Sequence, residues 1–215
     1  MKGSRLKAVI FDMDGVIVDS EPRHERAILD VMGQIGYADN HGLRISDYIG
    51  RSDQDVWKDF IALHQPRQTL DELLAMKRSR TVQILRDEQP VFGGVCNLLE
   101  QLHARCPLGL ASGSERAVVE AVLGLRNLGR FFSCVVTGSE IDRGKPAPDI
   151  FLRTAQLLAV KPENCWVIED SKPGVAAALA AGMRVIAIAN THPAAELIQA
   201  TRVVTGYEEI QEILG

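Results

Sequence analysis

Leu6-Lys7-Ala8-Val9-Ile10 is a short apolar run rich in β-branched residues, too brief for a helix and readable as a buried strand. From Asp19 the period changes. Asp19-Ser20-Glu21-Pro22 carries helix-start signals, a capping side chain and then a proline in the first turn. Ala27, Ile28, Val31, Met32 and Ile35 follow at helical spacing, and Gly36 can end the helix. From there to about residue 88 the pattern predicts helices only. Val56, Trp57, Phe60 and Ile61 form one apolar face, and Leu70, Leu73, Leu74, Ile84 and Leu85 another.

Gln89-Pro90-Val91-Phe92-Gly93-Gly94 punctuates the chain, and beyond it strands and helices alternate. A helix with Val95, Leu98, Leu99 and Leu102 on one face leads to the strand Leu108-Gly109-Leu110-Ala111. A helix near residues 118–125 leads to Cys134-Val135-Val136, and Pro148 opens a helix carrying Ile150, Phe151, Ala155 and Leu158. The strand Cys165-Trp166-Val167-Ile168 comes next, then a helix started by Ser171 and Pro173 and closed at Gly182. A strand at 184–189 and an amphipathic helix with Ile210, Ile213 and Leu214 complete the pattern. Such alternation predicts an α/β fold, a Rossmann-like parallel sheet with helices on both faces. The first strand belongs by pattern with the second half. The core is therefore expected to be discontinuous, residues 1–18 and 90–215, with an all-helical cap domain inserted at 19–89.

Composition narrows the function classes. The 215 residues are 46% hydrophobic, ample for a packed interior. With 24 basic against 28 acidic residues there is no broad field to attract nucleic acid or an anionic membrane, so neither is expected as a partner. A small soluble partner fits better, with the protein a monomer or weak dimer. Cys96, Cys106, Cys134 and Cys165 stand apart without C-x-x-C spacing, which suggests buried reduced thiols and no zinc site or disulfide framework. Asp12 and Asp14 interrupt any signal-peptide core, and the apolar stretch at 176–189 is short for a membrane span and contains Arg184, so a cytoplasmic protein is expected.

Ligands of open parallel sheets bind beyond the carboxyl ends of the strands. Asp12 and Asp14 follow the first strand, Ser112-Gly113-Ser114 the second and Glu169-Asp170-Ser171 a later one, with Lys145 in the loop after Cys134-Val135-Val136. Each has a plain structural reading as a turn, a helix cap or a solvated loop residue. Their joint occurrence at successive strand ends does not, because folding alone does not require such a concentration of like charge. Counted from Asp12, Gly15 is fourth and Arg23 twelfth, which excludes an EF-hand. Gly138 to Gly144 is one residue too long for a P-loop, and Pro146 stands where its hydroxyl residue belongs. No G-x-G-x-x-G follows a strand.

Four segments in order resemble the haloacid dehalogenase superfamily of phosphohydrolases, in its helical-cap branch close to β-phosphoglucomutase and sugar-phosphate phosphatases. They are Phe11-Asp12-Met13-Asp14-Gly15-Val16, Leu110-Ala111-Ser112-Gly113-Ser114, Gly144-Lys145-Pro146-Ala147-Pro148-Asp149, and Ile168-Glu169-Asp170-Ser171-Lys172-Pro173-Gly174. The resemblance covers essentially the whole chain. It implies that Asp12 attacks phosphorus, that Asp14 is the acid/base, and that Mg²⁺ sits between Asp12, the Asp14 main-chain carbonyl and Asp170, with Glu169 in support. It also implies a phosphate cradle from backbone N–H groups of Met13 to Gly15, with Ser112, Gly113 and Lys145. Asp14 favours phosphate chemistry over dehalogenation, which needs no acid/base at that position.

The implied substrate is a small phosphorylated metabolite, probed by the cap. His24 matches the mutase D-x-x-x-x-H pattern from Asp19, with a partly exposed helix residue as the plain alternative. In Ile49-Gly50-Arg51-Ser52-Asp53 the mutase's second-phosphate arginine position holds Asp53, and Arg51 is displaced by two. Lys77 and Arg78, with Arg80, could supply a cation instead, although such a run more often forms a solvated face. A phosphatase is therefore favoured over a mutase, and a non-catalytic phosphate-binding module least.

Overall fold

The computed structural model describes residues 6–48 and 53–215, which divide into two compact units: Met1–Asp19 with Pro90–Gly215, and Ser20–Gln89. In the first, six strands form one parallel sheet: β1 (Ala8–Phe11), β2 (Leu108–Ser112), β3 (Phe132–Thr137), β4 (Cys165–Glu169), β5 (Arg184–Ile188) and β6 (Arg202–Val204), in the spatial order β3-β2-β1-β4-β5-β6. β1 sits between β2 and β4, with Phe11 opposite Leu110 and Ile168. All four of its residues are buried, the condition that a continuous apolar run without alternation satisfies. Because every strand runs the same way, the residues that follow β1, β2 and β4 emerge on one rim.

The helices of this unit are α4 (Val95–His103), α5 (Arg116–Gly124), α6 (Asp149–Leu157), α7 (Lys172–Ala180) and α8 (Tyr207–Leu214), numbered after the three of the second unit. Ile150, Phe151 and Ala155 of α6 and Val175, Ala177 and Ala178 of α7 pack with Ala8 and Ile10 in one buried cluster. Pro148 is the N-cap of α6, and Ser171 caps α7 by accepting a hydrogen bond from the Gly174 N–H at 3.1 Å. β6 escapes a sequence reading because it is three residues long and begins with an exposed arginine, as short edge strands do. The thiols fall short of expectation. Cys106 and Cys165 are buried, whereas Cys96 and Cys134 are half-buried, since their elements turn only part of the side chain inward.

The second unit contains α1 (Glu21–Gln34), α2 (Asp53–His64) and α3 (Leu70–Glu88). Ile28, Val31, Met32, Val56, Trp57, Phe60 and Leu73 form its core. Ser20 is the N-cap of α1 without a side-chain capping bond, while Thr69 and Glu72 make a full capping box on α3. Among the described residues no helix is long and apolar enough to cross a membrane.

Candidate active site

Asp12 is the first residue after β1, its N–H donating to the Ile168 carbonyl of the neighbouring strand at 2.9 Å. Its side chain is buried, with one charged partner: Lys145 Nζ donates to Asp12 Oδ1 and to Glu169 Oε1, both at 2.6 Å. The Lys145 ammonium also lies 5.0 Å from the ring centroid of Phe151 on α6, a cation–π contact that adds to its anchoring. Glu169 is fixed from the other side. Its Oε2 accepts from the Asp170 and Ser171 N–H groups, both at 2.8 Å, and from Ser171 Oγ at 2.9 Å. That places the carboxylate at the N-terminus of α7, where the helix dipole favours negative charge. A Cβ on Gly174 would coincide with that carboxylate, so the glycine makes the close approach possible.

Asp12, Glu169 and Asp170, all buried, bring carboxylate oxygens within 4.8 Å of one another. Burial, then Glu169, Asp170 and Asp14, push the Asp12 carboxyl well above its ordinary range, against the pull of Lys145. Burial and Glu169 push Asp170 up to about 7, against the Thr191 hydroxyl and Lys145. For Lys145, burial acts downward, but the Asp12 and Glu169 carboxylates outweigh it and raise the pKa, so the ammonium stays charged. Three buried carboxylates against one ammonium leave a deficit of positive charge that a hard, oxygen-seeking cation fits. Glu169 is already engaged through both oxygens, which leaves Asp12 and Asp170 as the available carboxylate donors.

Asp14 lies toward β2. Its Oδ2 accepts from Ser112 Oγ at 3.2 Å and Ser114 Oγ at 2.8 Å, and Ser112 Oγ in turn accepts from the Ser114 N–H at 3.1 Å. Ser114, a neighbour of the predicted Ser112, is thus the closer hydroxyl. Gly113 between them is exposed. Met13 is buried, and its carbonyl accepts from the Ile17 N–H at 2.8 Å. The Gly15 N–H, expected in the phosphate cradle, donates to the Val18 carbonyl at 2.8 Å within the loop. Gly15 matters for space. It has φ +76°, and a Cβ there would overlap the Asp170 carboxylate and approach Thr191 Cγ2 to 2.8 Å. Gly15→Ala is expected to destabilise the chain by about 2 kcal/mol or more in chemical denaturation, from left-handed strain together with displacement of Asp170.

The loop after β5 adds residues the sequence reading passed over. Thr191 Oγ1 donates to Asp170 Oδ2, Asn190 Nδ2 to the Gly15 carbonyl at 2.8 Å, and Tyr207 OH to the Val16 carbonyl at 2.6 Å. The strand-end rule that found Asp12 and Asp170 points equally to Asn190 and Thr191. Of the cap residues His24, Arg51, Lys77 and Arg78, Arg51 lies outside the described residues, and Arg78 is half-buried on α3. Lys77 is not part of a solvated face: its side chain is buried, and Nζ donates to Asp53 Oδ2 at 2.7 Å and to His24 Nδ1 at 2.6 Å. An ammonium has no acceptor, so His24 Nδ1 takes the hydrogen bond.

The profile of the haloacid dehalogenase-like hydrolases matches residues 6–182, and the chain belongs to that family. The fructose-1-phosphate phosphatase of Escherichia coli (strain K12) is 34% identical over 83% of this chain and 94% of its own length. Hexitol phosphatase B of the same organism is 32% identical over 86% of this chain and 84% of its own. Among solved structures, a Thermotoga maritima protein provisionally named a β-phosphoglucomutase superposes with a TM-score of 0.80 at 27% identity, over 97% of this chain and 98% of that one.

Proposed function

We propose that this phosphoric monoester hydrolase is a Mg²⁺-dependent phosphatase of a small phosphorylated sugar, working through an aspartyl-phosphate at Asp12. The observation that carries the reading is the Lys145 bridge, which holds Asp12 and Glu169 at 2.6 Å beside Asp170. Asp12, held in place by Lys145, whose ammonium favours the carboxylate form against the burial that disfavours it, attacks phosphorus; a bond from its Oδ to phosphorus forms as the ester P–O bond breaks. Asp14, two residues on, gives a proton to the departing sugar oxygen. It then takes a proton from the water that attacks the aspartyl-phosphate, and free phosphate and the Asp12 carboxylate result. Ser112 and Ser114 hold the Asp14 carboxyl during both transfers. Mg²⁺, held by Asp12, Asp170 and the Asp14 carbonyl with Glu169 in support, would supply charge neutralisation of the phosphoryl group.

The substrate class is supported by the named relatives, which are phosphatases of fructose 1-phosphate and hexitol phosphates. A mutase must grip a second phosphate, and the pairing of buried Lys77 with Asp53 favours hydrolysis over that alternative. A panel of phosphorylated sugars that includes fructose 1-phosphate, assayed with and without Mg²⁺, tests the reading. Release of inorganic phosphate that requires Mg²⁺ is expected; interconversion of hexose 1- and 6-phosphates primed by a bisphosphate would overturn it in favour of a mutase.

The raised carboxyls give a pH signature. A folded pKa above the unfolded one means that stability is complete at low pH and lost as pH rises, here from about 4 toward the Asp170 value of about 7. Mg²⁺ binds the ionised form and competes with the proton. Mg²⁺ should therefore raise Tm more at pH 8 than at pH 5.5, and an equal gain at both would contradict the assignment of Asp12 and Asp170 as its donors.

A further inference from the structure

Asp12, Asp14 and Asp170 come from two loops, which the bond from the Asp12 N–H to the Ile168 carbonyl and the Lys145 bridge already tie together at Asp12. The next rim loop and the last helix add a second tie, at Gly15, Val16 and Asp170. Asn190 Nδ2 donates both to the Gly15 carbonyl at 2.8 Å and to Tyr207 OH at 3.0 Å, and Tyr207 OH passes its own proton to the Val16 carbonyl at 2.6 Å. The adjacent Thr191 donates to Asp170 Oδ2 while its methyl group faces Gly15, whose missing side chain leaves room for both. Tyr207 is buried at the start of α8, packed near Phe92 (ring centroids 6.4 Å apart) and beside Gly94. Burial, against the Asn190 hydrogen bond, raises its pKa and keeps the phenol a donor.

We propose that Asn190, Thr191 and Tyr207 form a positioning brace that fixes the loop carrying Asp12 and Asp14 against Asp170, and so sets the affinity of the rim for its divalent cation. The proposal rests on the Mg²⁺-dependent reading above. None of the three touches the phosphoryl group in this mechanism. Thr191 orients one cation donor, and Asn190 with Tyr207 clamps the two carbonyls that directly follow Asp14. Outer hydrogen-bond partners of metal ligands commonly control affinity by one to two orders of magnitude.

Mg²⁺ binding to the full-length, metal-free chain, measured by calorimetry, decides the matter for Thr191→Val, Thr191→Ser and Tyr207→Phe, with Tm of the metal-free proteins recorded alongside. Thr191 is exposed, and valine keeps its shape while deleting the hydroxyl. The expected result is Mg²⁺ binding about tenfold weaker in Thr191→Val, restored to within about twofold by Thr191→Ser, and severalfold weaker in Tyr207→Phe, with metal-free Tm shifted by only a few degrees. A purely structural role would lower Tm and leave the affinity unchanged, or weaken the serine and valine variants alike, and either result overturns the brace. A wild-type chain that binds no Mg²⁺ overturns the cation reading itself and the brace with it, an outcome distinct from normal wild-type binding that the variants leave untouched.

Discussion

Asp12→Asn is expected to lower turnover of sugar phosphates by roughly four orders of magnitude while leaving the fold intact. The amide keeps the size of the side chain but cannot form the bond to phosphorus. The same substitution removes a charge that burial and three neighbouring carboxylates disfavour, while Lys145 retains Glu169 as a partner at 2.6 Å. The metal-free variant should thus melt no lower than the parent. Activity and Tm measured on one preparation separate chemistry from folding: lost activity with an unchanged or higher Tm supports the role of Asp12, and retained activity removes it.

Lys145→Ala is expected to fail differently, in stability as well as in rate. Asp12 and Glu169 would be left buried without their shared ammonium, a situation that costs about 3–5 kcal/mol and a fall of roughly 10 °C in Tm for a chain of this size. Turnover should also fall by about three orders of magnitude, since the cation opposes charge on the phosphoryl group. The loss has a sign in pH. Without Lys145 the Asp12 and Asp170 carboxyls rise further above their unfolded values, so the variant should regain stability as metal-free buffer is taken from pH 8 to pH 5. A Tm deficit that is the same at both pH values would contradict the electrostatic account.

How much of this was legible in the sequence depended on whether local pattern or distant packing fixed each residue. β1 and the acids that follow it were legible because an uninterrupted apolar run ending in Asp12 has few interpretations in a parallel sheet. The helices followed from their apolar spacing, with boundaries shifted by a residue or two, as at α5. β6 was not, being too short to show a period. Lys77 reads as solvent-facing in Lys77-Arg78-Ser79-Arg80, whereas among the described residues Asp53 and His24, 24 and 53 positions away, make its burial tolerable. Thr191, Asn190 and Tyr207 are single polar residues whose partners lie at Gly15, Val16 and Asp170, pairings that tertiary contact alone creates. Ser114 stood next to a predicted residue, and backbone direction after β2, not residue type, makes it the nearer partner of Asp14.

If phosphate passes covalently through Asp12, mixing the chain and Mg²⁺ with a ³²P-labelled sugar phosphate that it hydrolyses, quenching in acid within a turnover and mapping the label will reveal it. Hydroxylamine-labile phosphate is expected on the peptide containing Asp12 and absent from Asp12→Asn. Release of phosphate by the parent chain with no label on that peptide at any quench time would contradict it.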